Sequence, residues 1–487
     1  MNRRAIQLWE RQDYDVALRE FRSVAAKGRN AIGWIDYGNA LTLSWQGERA
    51  VEAFETARRI GPAAVVDRGA ADRLLGMRRY DLALPFLERV RQAGNGEARH
   101  AAGLVTALDR ASRLDEAQAV LDEAILRFGP TPGWRLLEAK LLRRGRNHDE
   151  ALVVLDSVAN DTGLTNPQIS AIHYERAACL EKLKRFAEVF PALRLAKAPL
   201  LKGGGPILEK SWRTLEMLEE QVRALTQDQV RGWREPSSAK LRPLGLIGGF
   251  PRSGTTLLEV MLGSHEAVAV SSEAAVFSDF IASFLGHSLD DIPAVTAYKL
   301  ISRYWQFQEG NTGPLAGRLL VDKNPALTPL LHTFMRLFPA ARLLICLRDP
   351  RDVLLSCHMQ DLPLNAVSVH FLDWQGSWRF YRTCMEMWLR LRDLAGDGYM
   401  EVRYERLVAD PEEVMREILP FLGLPWSDRL ATYRDHVAER RVYSPTYAEA
   451  AEPVHAGAMG RWTHHLAQYG TPDGVPENDP LYRKLGY

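Results

Sequence analysis

Along residues 1 to about 200 apolar positions recur every three or four residues; beyond 240 they gather into short runs separated by longer amphipathic stretches. The first pattern predicts packed amphipathic helices and the second predicts buried strands alternating with helices. Within the first half, one segment keeps returning: YDVALREF at 14, GERAVEAF at 47, YDLALPFL at 80, LDEAQAVL at 114, HDEALVVL at 148 and FAEVFPAL at 186. Its small residue, followed four positions later by a large apolar one, stands at Ala17, Ala50, Ala83, Ala117, Ala151 and Val189, in steps of 33, 33, 34, 34 and 38. An irregular helical bundle with accidental alanine spacing does not give such even steps. The pattern predicts an α-solenoid over residues 1–200, its sixth unit degenerate.

A period near 34 with this small-then-large pairing resembles the tetratricopeptide repeat. The second unit carries it most fully, in Trp34, Tyr37, Gly38 and Leu41, then Ala50, Phe54 and Ala57, then Pro62. Small residues let the paired helices approach, and large ones fill the seam between pairs. Such arrays hold peptides, dimerise or brace a neighbouring domain. The stretch KAPLLKGGGPILEK at 197, with three glycines and two prolines, predicts an interruption. Residues 201–240 therefore read as a linker with one bridging helix, ahead of a second domain at 241–487.

The apolar runs of that domain are LGLIGGF (244–250), AVAVS (267–271), RLLVD (318–322), RLLICL (342–347) and YMEVRY (399–404). Runs of this length between helical stretches predict an α/β domain with a central parallel sheet. In such sheets ligands sit beyond the C-terminal strand ends. Arg252 follows the first run, Glu273 the second, Lys323 the third and Arg348 the fourth, and Tyr404 with Glu405 closes the fifth. Ser356 lies eight residues past Arg348, which would turn its hydroxyl to the same mouth if a helix starts near Pro350. The histidines His265, His332, His358 and His370 do not directly follow a strand, which predicts surface or supporting positions.

The stretch GLIGGFPRSGTTLLEVML (245–262) combines a strand, a glycine-rich turn and a helix start. These are the parts of an anion cradle, made of backbone N–H groups and a helix N-terminus. Against the nucleotide-binding pattern G-x-x-x-x-G-K-[ST], Gly249, Gly254 and Thr256 fit, but Thr255 stands where the lysine belongs. Arg252, inside the turn, is the cation available in its place. Asp322 could serve as a magnesium-binding acid, which would make the domain a P-loop kinase or NTPase; the adjacent Lys323 and the missing loop lysine count against it. Glu273 reads equally well as a helix N-terminal acid favoured by the dipole or as a general base.

Composition narrows the partners. Lys plus Arg is 62 against 61 for Asp plus Glu, a balance that offers no global field for nucleic acid or anionic membrane. The four cysteines lack metal or disulfide spacing and read as small buried hydrophobes of a reducing compartment. With neither a signal peptide nor an apolar run of membrane-spanning length in the sequence, the expectation is a cytoplasmic protein.

The loop GGFPRSGTTLLEVML resembles the 5′-phosphosulfate loop of the sulfotransferases, and RLLICLRDPRDVLLSC resembles their 3′-phosphate-binding segment. The ordered set PRSGTT, SSE, DKNPAL, CLRDPRDV, VRYERLVADPEEVMREILPFLGLPW and GRW is similar to the tyrosylprotein-sulfotransferase-like branch, over roughly 243 to 465. An array ahead of it is similar to that branch's bacterial members. The resemblance implies a P-loop-type sulfotransferase domain using 3′-phosphoadenosine 5′-phosphosulfate (PAPS) as donor, an acceptor hydroxyl, with protein tyrosine one candidate, and no metal. It implies that Arg252, Ser253, Gly254, Thr255, Thr256 and Leu257 hold the 5′-phosphosulfate and that Arg348 and Ser356 hold the 3′-phosphate. Glu273 matches the catalytic carboxylate, Lys323 the lysine at the transferring group, Thr446 a serine near that group, and Tyr404 and Arg461 donor contacts. Ser272-Glu273-Ala274-Ala275 departs from the Glu-Glu-Thr-Arg run of the eukaryotic branch, losing neighbours that seat an acidic peptide. The contrasting expectation is a repeat scaffold carrying an inactive or nucleotide-sensing domain.

Overall fold

The structure, a computed structural model, describes residues 3–11, 13–28, 30–234, 242–272, 288–433, 456–471 and 474–487. The chain divides into two compact units, Met1–Gln168 and Ile169–Tyr487. The division lies some thirty residues before the boundary expected at 200.

The first unit is helical throughout its described secondary structure: α1 (Arg3–Glu10), α2 (Tyr14–Gly28), α3 (Ala31–Leu43), α4 (Gly47–Ile60), α5 (Ala63–Gly76), α6 (Tyr80–Gln92), α7 (Ala98–Arg110), α8 (Leu114–Phe128), α9 (Pro132–Arg144) and α10 (His148–Val158). Each packs on the next in chain order through α10, as repeat hairpins require. The periodic alanines Ala17, Ala50, Ala83, Ala117 and Ala151 are completely buried. Gly38 is small because of the seam: a Cβ there would lie 2.5 Å from the Phe54 ring.

The backbone repeats as well. Trp45, Arg78, Ser112, Arg146 and, in the second unit, Lys184 have φ of 58°, 57°, 58°, 66° and 60°. Each stands five residues before the small residue of its unit, at the tight turn between paired helices. A side chain in this left-handed conformation costs on the order of 1 kcal/mol, and the following helix docks regardless.

The second unit opens with α11 (Asn166–Lys182) and α12 (Phe186–Ala224). The expected interruption at the three glycines is absent. One helix of 39 residues runs through Pro191, Pro199, Pro206 and Gly203-Gly204-Gly205. Packing overrides local propensity here. Gly204 is buried, and a Cβ on it would meet Leu372 Cδ1 at 2.9 Å, so the glycine admits the neighbouring 3₁₀ segment Ser368–Leu372. Ser211 Oγ donates to Ala366 O at 2.6 Å, and the buried Lys197 Nζ donates to Phe371 O at 2.6 Å. Residues 201–224 are thus part of this unit's core rather than a linker. The expected bridging helix is the second half of α12, followed by α13 (Gln227–Trp233).

The sheet follows, with β1 (Leu244–Gly249), β2 (Val268–Ser272), β3 (Leu319–Lys323), β4 (Arg342–Leu347) and β5 (Tyr399–Arg403), all five at the predicted runs. All pairings are parallel, in the order β2-β3-β1-β4-β5. Side chains alternate between two cores. Leu246, Leu320, Leu343 and Ile345 face α12 and the helices Ala294–Thr312, Leu331–Leu337 and Trp374–Ala395. Ile247, Val321, Leu344 and Cys346 face α14 (Thr255–Gly263) and the helix Pro411–Phe421. Central β1 has its chain-order successors on both sides, and that reversal opens a crevice at its C-terminal end.

Candidate active site

The turn leaving β1 is shaped by close approach. Gly249 has φ 129°, and a Cβ there would stand 2.5 Å from Cys346 O; Gly254 has φ 100°, and a Cβ there would stand 2.5 Å from the Tyr404 ring. Arg252 takes φ 72° although it carries a side chain. Strain of this kind persists where the surroundings over-determine it. Gly249 N donates to Thr328 Oγ1 at 3.0 Å, the Thr328 hydroxyl donates back to Gly249 O, and Ser253 N donates to Phe250 O at 3.1 Å. Gly254 caps α14, whose first N–H groups lack intrahelical acceptors as at any helix start.

Arg348 and Ser356 both meet this turn. The helix Pro350–His358 begins where the spacing predicts, capped by Asp349, which puts Ser356 in its second turn. Arg252 Nε donates to Ser356 Oγ at 2.9 Å. Arg348 Nη1 donates to Arg252 O at 3.1 Å, Nη2 donates to Ala458 O, and Cζ lies 4.8 Å from the Tyr404 ring centroid. Tyr404 is thus packed between Gly254 and Arg348. Burial lowers the Arg348 pKa from its ordinary value, with Asp352 opposing that effect. Asp352 also accepts from Gly460 N and from Trp462 N at 3.0 Å, tying residues 458–462 to the same helix. Two buried polar atoms here have no hydrogen-bond partner among the described residues: Ser253 Oγ and Arg348 Nε. An anion with several acceptor oxygens fits both.

Thr255 and Leu257 are buried in the first turn of α14, and Thr256 is half-buried beside them. Lys323 is the last residue of β3, level with Ile247 of β1 and Ser272 of β2. It is a fully buried cation, its Nζ 3.3 Å from Glu259 Oε2 on α14. Asp322 points to the opposite face, where its Oδ2 accepts from Tyr304 Oη and Gln308 Nε2, each at 2.9 Å. The alternative of Asp322 as a metal-binding acid, already disfavoured by Lys323 and Thr255, fails on this placement: strand alternation sends it into the core, away from the loop. Burial raises its pKa to about 7. Glu273, one residue beyond β2, and Thr446 lie outside the described residues.

Arg461 is engaged elsewhere. Its Nη2 donates to Glu181 Oε1 at 3.0 Å, and Glu181 Oε2 sits 2.9 Å from His465 Nε2. Burial pushes Glu181 up, but His465 and Arg461 outweigh it and hold its pKa below the ordinary value.

The four histidines are not surface residues; all are buried. His358 Nδ1 lies 2.5 Å from Lys197 Nζ, His370 Nε2 lies 2.8 Å from Ser211 Oγ, and His265 Nε2 lies 3.0 Å from Pro425 O. Burial takes His332 and His370 down to about 4, so both are neutral imidazoles near neutral pH. Sequence reasoning also missed Thr328, Glu259, Asp352 and Glu181. Glu259 stands out only as an acid within the apolar run LLEVML.

Parts of both units are similar to known protein families. Residues 243–428 match the sulfotransferase family and residues 74–141 the tetratricopeptide repeat. Within the second unit, residues 243–428 are thus similar to the sulfotransferase family, and within the first, residues 74–141 are similar to the tetratricopeptide repeat. The chain is 27% identical over 301 residues to a protein-tyrosine sulfotransferase of Drosophila melanogaster, covering 56% of this chain and 57% of that protein. It is 26% identical over 385 residues to an uncharacterized protein of Aquifex aeolicus, covering 76% of this chain and 49% of that one. The chain thus spans about half the length of these relatives. Among solved structures it is similar to the sulfotransferase domain of the Synechococcus PCC 7002 olefin synthase, at 20% identity over 52% of this chain and 96% of that one, with a TM-score of 0.34.

Proposed function

We propose that this protein is a PAPS-dependent sulfotransferase that transfers a sulfuryl group to an acceptor hydroxyl. The observation that carries the reading is the junction of Arg252, Ser356 and Arg348, which links the β1 turn to the helix after β4. It leaves Ser253 Oγ and Arg348 Nε buried and without a partner among the described residues. In this reading the turn from Arg252 to Leu257 receives the phosphosulfate, and Arg348 with Ser356 receives the 3′-phosphate. Tyr404 borders the nucleotide, and Arg461 reaches it only after leaving Glu181.

The acceptor oxygen attacks sulfur, the bond from sulfur to the bridging oxygen breaks, and 3′-phosphoadenosine 5′-phosphate leaves with the electron pair. Glu273 takes the acceptor proton. Arg252 and Lys323 meet charge growing on the sulfuryl and bridging oxygens, with Thr446 beside them. Preorganised charge of this kind supplies the greater part of the rate enhancement in many enzymes. A sulfuryl group carries less negative charge than a phosphoryl group, so a loop arginine suffices where a P-loop kinase uses lysine and magnesium. A relative named for protein-tyrosine sulfotransfer makes a peptide tyrosine the first acceptor to assay, with the array as an acceptor or partner scaffold.

The test is turnover with PAPS and a tyrosine peptide in chelator, against ATP with magnesium. Product with PAPS alone supports the reading; phosphoryl transfer from ATP refutes it. Glu273→Gln should lower kcat at least ~100-fold, as loss of a general base does, while nucleotide affinity persists.

A further inference from the structure

Outside the groups already assigned, one buried charge lies directly against the proposed machinery. Glu259 is on the second turn of α14, nearly inaccessible, with Oε2 3.3 Å from Lys323 Nζ. It stands four residues past Thr255, about 6 Å along the axis at 1.5 Å per residue. Helical side chains lean toward the N-terminus, so its carboxylate lies beside the turn that begins at the anion loop. Lys323 comes from the other side, at the tip of β3. The apolar neighbours on this face are Ile247, Leu258, Val321 and Leu262. An ammonium buried in such surroundings without a counter-charge is strongly disfavoured. A carboxylate under the loop is also costly for an anion-binding site, because it opposes the incoming sulfonate. A sequence that only needed to fill this space would place leucine here, as at Leu258 and Leu262.

We propose that Glu259 is a positioning residue for sulfuryl transfer, holding Lys323 charged and aimed at the base of the anion loop. The proposal rests on the reading of Lys323 as the cation at the transferring group. Before the donor binds, Glu259 neutralises Lys323 and keeps its four-carbon stem from folding elsewhere. As the bond to the bridging oxygen breaks, the growing negative charge draws on an ammonium that needs no reorganisation. Glu259 touches neither donor nor acceptor; it acts through Lys323.

That dependence defines the experiment. Full-length wild type, Glu259→Gln, Lys323→Met and the double variant are compared by calorimetry with 3′-phosphoadenosine 5′-phosphate and by turnover of PAPS with a tyrosine peptide. Glu259→Gln is expected to keep nucleotide affinity within about threefold and to lose about 10- to 100-fold in kcat, less than the roughly 100- to 1,000-fold of a group that itself meets the developing charge, because Glu259 acts at one remove. The double variant should turn over like Lys323→Met, because a residue acting through Lys323 has nothing left to act on. Glu259→Asp should recover part of the loss. If Glu259→Gln unfolds, the double variant, which removes both members of the ion pair, supplies the comparison: turnover well below that of Lys323→Met refutes the proposal. Wild-type kcat in Glu259→Gln beside an impaired Lys323→Met overturns the proposal and spares the sulfotransferase reading. Multiplying losses in the double variant do the same. Full activity in Lys323→Met, or a wild type that neither binds the nucleotide nor consumes PAPS, overturns the underlying reading and this inference with it.

Discussion

Asp322 sits fully buried at the penultimate position of β3, with Tyr304 Oη and Gln308 Nε2 donating to one oxygen and the other oxygen unpartnered among the described residues. Burial carries its pKa from 3.8 to about 7, helped by the nearby Glu259 charge and opposed by the Tyr304 hydrogen bond and by Lys323. The unfolded chain ionises this group near the ordinary value, so from about pH 4 to pH 7 the folded protein binds a proton that the unfolded one has released. Stability from this site is therefore fully present below pH 4 and lost as pH rises to 7. A shift of about three units at roughly 1.4 kcal/mol each makes the full effect about 4 kcal/mol. Asp322→Asn keeps an acceptor for Tyr304 and Gln308 but cannot ionise. Urea unfolding of the full chain, followed by tryptophan fluorescence from pH 4 to 8, measures the difference. The variant should match wild type near pH 4 and exceed it by several kcal/mol at pH 8. Parallel pH curves, or a variant weaker than wild type at pH 8, would refute the reasoning.

Three further expectations concern the loop, the phosphate contacts and the array. Gly254→Ala forces a methyl group against the Tyr404 ring at a φ of 100°; binding of 3′-phosphoadenosine 5′-phosphate should fall by at least about tenfold in calorimetry, and unchanged affinity would remove the turn from the site. Arg348→Ala removes a buried charge-assisted donor worth about 1.5–3 kcal/mol, so nucleotide affinity should drop about 10- to 150-fold while kcat at saturating PAPS changes little. Ser112→Gly relieves a left-handed residue at a repeat turn and should raise stability by up to about 1 kcal/mol. A denaturation midpoint that stays put or falls would mean that this turn stores no strain.

The fold was largely legible because its signals are local. Alanines at a period near 34 and five apolar runs mark where backbones approach and where strands are covered on both faces. The break at α12 was misread for a physical reason. Glycine and proline report intrinsic preference, whereas Lys197, Ser211 and Gly204 hold that helix to residues 366–372, contacts more than 150 positions away in sequence. The same distance hid the partners of the site. Arg252, Arg348 and Ser356 were readable from strand ends and helical spacing. The pairing of Arg461 with Glu181, 280 positions apart, and of Lys323 with Glu259 appears only once the chain is folded. Of the two positions expected for the histidines, surface or supporting, burial leaves the supporting one, and distance from a strand end could not decide between them.

The central claim is that two separate elements of the second unit grip an adenylate bearing both a 5′-phosphosulfate and a 3′-phosphate. Calorimetry of the full-length protein with 3′-phosphoadenosine 5′-phosphate against ADP, without metal, tests it most directly. The account predicts that the 3′-phosphorylated nucleotide binds at least about tenfold more tightly, as expected for one buried charge-assisted contact. Equal affinities, or a preference for ADP, would contradict it.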